Sequence, residues 1–304
     1  MGTRTAMTEQ NTHRRLTKFY GELSSLEVVL GSLALEGVDA EHPRASDLYT
    51  RGLDCQNLGT FPMLEVLAAV AAEYGTAGRD DTLLDIGCGL GGPGRFLADR
   101  FGCSIVGTDL LAKRIEIAKA LTRKTGMAER ISYRRADATD LPFRAGAFAQ
   151  VWMLDVSMHI RDKRALFGEI ARVLRPGGLL VMHEQLAPIP DAMRPVTRQA
   201  PYIAPTLPQL IRYVDDAGLQ VLTWRDTTPR VLEYFEGILS RMQGAPALAP
   251  AEGGPWREQG LAILNGYVET LSKLGGRTGI LVAKRSAPEP RRARRGRRVR
   301  RANR

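Results

Sequence analysis

Along this chain the spacing of apolar residues changes period several times, and each change marks an element. Residues 16–36 place Leu16, Phe19, Tyr20, Leu23, Leu26, Leu30 and Leu33 at roughly helical intervals, which predicts one or two amphipathic helices ahead of the main body. Residues 37–60, interrupted by Pro43, Gly52 and Gly59, read as loop, and a helix is expected from Pro62 to about Tyr74. From residue 82 the rhythm becomes strand–helix. Strands are expected at Thr82–Ile86, Cys103–Thr108, Ile131–Arg134, Phe148–Leu154 and Leu179–His183. Helices are expected from Pro93 to about Phe101, at Ala112–Lys124 and over 162–174, the last stopped by Pro176-Gly177-Gly178. Short connections in such an alternation imply a parallel sheet with helices on both faces.

After His183 the pattern loosens. Prolines 188, 190, 201, 205 and 208 frame a segment 185–205 expected to lie as a long loop or short helix over the site. A helix at Thr206–Ala217 and strands at Gln220–Trp224 and Gly279–Lys284 follow, which makes seven strands. Between those last two strands, helical stretches at about 229–243 and 256–274 read as a helical cap without a core of its own. The expected organisation is N-terminal helices with a covering segment over 1–60, an α/β domain over 61–285, and a tail over 286–304.

Composition narrows the class. The chain is 44% hydrophobic with a mean hydropathy of -0.19, and no apolar run reaches membrane-spanning length. Met1 to Lys18 is polar and threonine-rich, without a secretory apolar core, so a cytoplasmic protein with no membrane partner is expected. Cys55, Cys88 and Cys103 lack metal-type spacing and read as reduced thiols, with no metal site expected. The net charge of +10 is localised: residues 291–304 hold nine arginines and no acid, leaving the rest close to neutral. Such a block is expected to be disordered, and it lacks the interleaved aromatics that stacking on bases needs, which argues against specific nucleic-acid binding.

The candidate chemistry begins at Leu83-Leu84-Asp85-Ile86-Gly87-Cys88-Gly89-Leu90-Gly91-Gly92-Pro93-Gly94. An apolar run collapses into glycines and resumes as a helix, so a ligand can lie against backbone N–H groups at the helix start. Gly87, Gly89 and Gly92 satisfy G-x-G-x-x-G, which dinucleotide binders share. Asp85 points elsewhere, because a carboxylate beside the loop repels a pyrophosphate and suits a ligand carrying an ammonium or sulfonium. Asp109, 22 residues after Gly87, closes the second strand. An acid there accepts hydrogen bonds from ribose hydroxyls, or it simply caps the following helix. In Asp155-x-x-x-His159 the spacing sets both side chains at the carboxyl end of the fourth strand. His159 either takes a proton from the acceptor, since imidazole titrates near neutral pH, or caps the next helix.

The run Leu84-Asp85-Ile86-Gly87-Cys88-Gly89-Leu90-Gly91-Gly92 resembles the first motif of class I S-adenosylmethionine-dependent methyltransferases, with the likeness extending over about 45–185. That resemblance implies a Rossmann-like, seven-stranded, mostly parallel sheet and S-adenosylmethionine as cofactor. It also implies that the Asp85–Gly89 loop holds the methionine moiety, with Gln56 and Asn57 touching the same end, and that Asp137 takes the adenine amino group. Leu110 and Ala138 then line the adenosine pocket, and Leu154 also belongs to the cofactor-binding set. The stretch from Trp152 through His159 is similar to phosphoethanolamine and sarcosine/dimethylglycine methyltransferases, which implies that Asp155 faces the acceptor and His159 belongs to the catalytic pair. Cys55 and Gln185 stand where those enzymes carry tyrosines. The expected activity is methyl transfer to nitrogen or oxygen of a small-molecule acceptor in secondary metabolism. Two alternatives remain at this point: a cofactor-binding, cyclase-like enzyme on the same fold, and a nucleic-acid methyltransferase using the basic tail.

Overall fold

The computed structural model describes residues 14–18, 20, 25–55, 60–187, 202–244 and 255–286. Helices α1 (Leu26–Leu35), α2 (Ala45–Tyr49) and α3 (Thr60–Ala72) precede β1 (Thr82–Ile86). Then come α4 (Gly92–Phe101), β2 (Ser104–Asp109), α5 (Ala112–Lys124), β3 (Ile131–Arg135) and β4 (Phe148–Leu154). A single 3-10 turn (Ser157–His159) leads into α6 (Lys163–Val173), β5 (Leu174–Leu186), α7 (Leu207–Asp216) and β6 (Leu219–Asp226). The last elements are α8 (Thr228–Gly244), α9 (Pro255–Ser272) and β7 (Arg277–Arg285).

The strands form one sheet in the order β3-β2-β1-β4-β5-β7-β6. Six run parallel in the doubly wound sense, while β7 inserts antiparallel between β5 and β6. The sheet is therefore the seven-stranded, mostly parallel one expected. Strict alternation divides the core into two layers. Leu83, Trp152, Val181 and Val282 point to one face with α3, α4 and α5, whereas Leu84, Val151, Met153 and Leu180 face α6 and α7. The chain leaves β1 toward β2 and later returns to β4 on its other side. That reversal opens a crevice at the carboxyl ends of β1 and β4, where doubly wound sheets bind ligands.

Two sequence expectations shift. The fifth strand begins at Leu174, before Pro176-Gly177-Gly178, and not at Leu179. Pro176 forces the residue before it out of the helical region, Gly177 turns at φ +77, and the pairing with β4 slips between Phe148 and Gln150. The same strand runs on to Leu186, so His183, Glu184 and Gln185, all buried, lie within the strand and do not terminate it. The second shift concerns α8 and α9. Val231, Phe235 and Leu271 join the apolar layer beside α3, so these helices cover a sheet face, and none of their described residues lines the crevice cavity.

Candidate active site

The crevice holds a cavity of about 950 Å³. On its β1–β3 side the walls are Asp85, Gly87, Gly89, Asp109, Leu110, Asp137 and Ala138, and Leu154 closes the floor at β4. Gly87 sits at φ +69, and a Cβ there would come within 2.3 Å of Val156, so only glycine fits between the β1 turn and the loop after β4. Asp85 is 2% exposed, and its Oδ2 has no hydrogen-bond partner. Burial, with the charge of Asp109 next, pushes its carboxyl up to about 7. A buried carboxylate oxygen without a partner costs free energy until a donor or cation reaches it.

Asp109 is buried and already half engaged: its Oδ2 accepts from the Gly89 backbone N–H (3.1 Å) and its Oδ1 from that of Leu111 (2.9 Å). A carboxylate has about four acceptor sites, so capacity remains. The bond to Leu111 closes a local turn and does not cap α5, whose N-cap is Leu111 without a side-chain cap, and the carboxylate stays in the cavity wall. Asp137 is exposed and bends back on itself, its Oδ1 accepting from the backbone N–H (2.8 Å) and hydroxyl (2.7 Å) of Thr139. Of the sequence-selected residues, Gln56 and Asn57 lie outside the described residues, as does the arginine tail.

On the β4–β5 side, Asp155 and His159 also line the cavity. Asp155 adopts φ +55, a left-handed conformation that costs on the order of 1 kcal/mol or more for a residue with a Cβ. It is held there from behind. The Asp155 backbone N–H donates to the carbonyl of His183 (2.9 Å), and Asp155 Oδ1 lies 3.0 Å from His183 Nδ1. His183 Nε2 in turn lies 2.9 Å from the Thr227 hydroxyl, which meets the Thr278 hydroxyl at 3.0 Å. With the Thr227 hydroxyl donating to Nε2, the His183 Nδ1–H faces the carboxylate, and every polar atom of this fully buried imidazole is satisfied.

His159 Nε2 lies 2.8 Å from the hydroxyl of Tyr20. The ring stands edge-on between Tyr20 and Tyr202, with centroids 5.7 and 5.5 Å away. Burial pushes the Tyr20 hydroxyl's pKa upward, so it remains a protonated donor. Arg114, from α5, lies over the Tyr20 ring at 4.7 Å and reaches toward Asp109. Beneath the turn, the Lys163 ammonium donates to the carbonyls of Ser157 (2.7 Å), Ile160 and Ile203 (3.0 Å). Glu184 accepts from the Ser157 backbone N–H (3.1 Å). Burial lowers the Lys163 pKa and raises that of Glu184, the direction expected for charges taken out of water. Tyr202 donates to Gln185 Oε1 and meets Tyr267 of α9 at 3.1 Å, which is how the α8–α9 pair reaches the rear of the site.

The sequence reading did not name Tyr20, Arg114 or Lys163 as site residues; His183 stands behind Asp155 and is not among the residues lining the cavity. Tyr20 appeared only as one apolar position of an amphipathic pattern, and nothing in the sequence couples it to a histidine 139 residues away. Lys163 was legible only as part of a helix.

The strand order, the glycine turn and acids at the ends of β1, β2 and β3 define a Rossmann-like fold with an adenosine-type crevice. Residues 84–182 match the family model described as a methyltransferase domain, and the sheet and its helices have the Rossmann-like fold of solved methyltransferases. Methyltransferase GfsG of Streptomyces halstedii is 31% identical over 171 residues, covering 52% of this chain and 62% of that protein. The probable chloroplastic tocopherol O-methyltransferase of Oryza sativa is 32% identical over 135 residues, or 43% of this chain and 37% of that protein. The chain thus spans from about a third to three fifths of the length of these curated relatives. Sterol 24-C-methyltransferase of Eremothecium gossypii and norajmaline N-methyltransferase of Rauvolfia serpentina also match, so the relatives' names cover oxygen, carbon and nitrogen acceptors. Among solved structures, phosphoethanolamine N-methyltransferase 2 of Haemonchus contortus, in complex with phosphomonomethylethanolamine and S-adenosylhomocysteine, superposes with a TM-score of 0.69 at 22% identity, covering 80% of this chain and 57% of that one. The cyclase SpnF superposes at 0.60 with 21% identity, covering 81% of this chain and 98% of that one.

Proposed function

We propose that the protein is an S-adenosylmethionine-dependent methyltransferase that methylates nitrogen or oxygen of a small-molecule acceptor, in the cytoplasm and within secondary metabolism. The observation that carries this reading is the unpartnered, buried Oδ2 of Asp85 in the cavity wall. A cationic ligand relieves it, whereas a pyrophosphate would set negative charge against Asp85, Asp109 and Asp137 together. Bound S-adenosylmethionine supplies a methyl on a sulfonium that is already activated for departure, so the protein has mainly to align, exclude water and accept a proton.

In this reading Asp85 and the Gly87–Gly89 turn bind the methionine end, with Gln56 and Asn57 at the same end. Asp109 takes the ribose hydroxyls, Asp137 the adenine amino group, and Leu110, Ala138 and Leu154 flank the ring. Asp155 and His159 face the acceptor. The Tyr20 hydroxyl orients the His159 ring, and His159 or Asp155 takes the proton that the attacking nitrogen or oxygen loses. His183 keeps Asp155 in its strained conformation. The domain organisation follows: N-terminal residues 1–60 cover the crevice, 61–285 form the catalytic domain, and 286–304 are an appendage.

A screen of amines, phenols and hydroxylated natural products for S-adenosylhomocysteine formation tests the activity. Turnover on one of them supports the reading. Tight cofactor binding without S-adenosylhomocysteine from any of them favours a cyclase-like enzyme, the reading to which the fold of SpnF gives some support. Turnover on nucleic acid that disappears when residues 291–304 are removed favours the third.

A further inference from the structure

Arg95 lies in the first turns of α4 with no exposed surface, and Asp54 is 1% exposed. The guanidinium grips a single oxygen, Asp54 Oδ2, through Nε (3.1 Å) and Nη2 (2.8 Å). Its remaining donors reach the Leu90 carbonyl of the glycine loop and the Thr122 hydroxyl of α5 (2.7 Å). One arginine thus ties three things: the segment before α3, the cofactor-type loop and the helix after β2. One turn further along α4, the Tyr49 hydroxyl donates to Asp99 (2.6 Å), so residues 45–55 are pinned to the helix twice on the same face. The seat is tight. A Cβ at Gly92 would come within 2.6 Å of the Asp54 backbone oxygen, its Oδ1 and Cys55 Sγ.

Buried ion pairs add little net stability over apolar side chains of the same size, but they fix position because either charge alone is costly. Here the position fixed is in the cavity wall, which Asp54 lines together with Asp85 and Pro93. Arg95 also offsets the charge of Asp54, while Asp85 Oδ2 on the same wall keeps no hydrogen-bond partner. We propose that Asp54 and Arg95 are a positioning pair for the amino-acid end of the cofactor: by seating residues 53–55 on Gly92, they build that wall before any ligand arrives. The proposal rests on the S-adenosylmethionine reading above and deepens it. Nothing in it requires the pair to touch the reacting atoms.

The test compares two ligands that share the adenosine half. S-Adenosylhomocysteine carries the amino-acid end, and 5′-methylthioadenosine lacks it. Isothermal titration of both is carried out on the wild-type chain, on Asp54→Asn, and on Gly92→Ala, which keeps both charges and pushes Asp54 and Cys55 off the helix. Circular dichroism melts accompany each titration, so that an unfolded variant is recognised and the other carries the test. The expected result in a folded variant is a loss of at least tenfold for S-adenosylhomocysteine with less than a twofold change for 5′-methylthioadenosine. A purely structural role predicts equal losses for the two ligands, and that result, or no loss for either, overturns the proposal. If the wild-type chain binds neither ligand, the cofactor reading falls and this proposal with it; if it binds both and the variants lose both equally, only the role of the pair falls.

Discussion

On the β1–β3 side of the cavity, the polar groups Asp85, Gly89, Asp109 and Asp137 all come from one run of consecutive strand–loop–helix units. On the β4–β5 side, Tyr20, Asp155, His159, His183 and Tyr202 come from four separated stretches that only the tertiary fold assembles. The first half is built from backbone turns and strand ends, whose geometry is set locally. The second is built from side chains that hold one another: tyrosine on histidine, histidine on carboxylate, threonine on histidine. A local motif can therefore specify the donor of a reaction, while the acceptor is left to contacts that vary with every insertion around the sheet.

This contrast can be broken from either side. The largest effect is expected at Gly87. Gly87→Val collides with Val156 and demands a left-handed β-branched residue, so cofactor binding should become undetectable by titration. Next, His159→Ala should lower turnover by about 10²-fold or more on an acceptor found by screening, with less than a twofold change in cofactor Kd. Equal turnover would reduce His159 to a packing residue between Tyr20 and Tyr202. On the donor side, Asp109→Ala should weaken S-adenosylhomocysteine by about 10- to 100-fold, through lost ribose contacts and a freed Gly89 N–H.

A smaller effect concerns pH. Burial raises the Asp85 carboxyl to about 7, against about 4 in an unfolded chain. The ligand-free fold therefore holds a proton that the unfolded chain has released, and its stability falls as pH rises from about 4 through 7. Asp85→Asn should consequently melt several degrees above the wild type at pH 8 and close to it at pH 4, as calorimetry would register. The same variant should lose the rise in S-adenosylhomocysteine affinity between pH 6 and 8 that ionisation of Asp85 gives the wild type. The smallest effect is at the tail: deleting 291–304 should leave cofactor Kd and small-acceptor turnover unchanged.

The same contrast explains what could be read from the sequence. Asp85, Gly87, Gly89, Asp109 and Asp137 were legible because a parallel strand, a turn and a helix leave a period change and a residue type at each strand end. Asp155 and His159 were legible for the same reason, as they follow β4 directly. His183 was read as the last residue of a short fifth strand, whereas the antiparallel pairing with β7 carries β5 three residues past it. Tyr20 and Arg114 were missed because a cation over an aromatic ring, on elements almost a hundred residues apart, leaves no periodic trace. The α8–α9 pair was located correctly in sequence. Its apolar residues, however, could not say whether they would cover the crevice or the sheet beside α3.

The central claim is that three acids at successive strand ends make a crevice for a cationic, phosphate-free adenosine cofactor. Titration of the intact chain with S-adenosylmethionine and, separately, with NAD tests it most directly. The account predicts saturable S-adenosylmethionine binding, weakened by Asp109→Ala, and no measurable NAD binding at the same concentrations. Tight NAD binding without S-adenosylmethionine binding would contradict it.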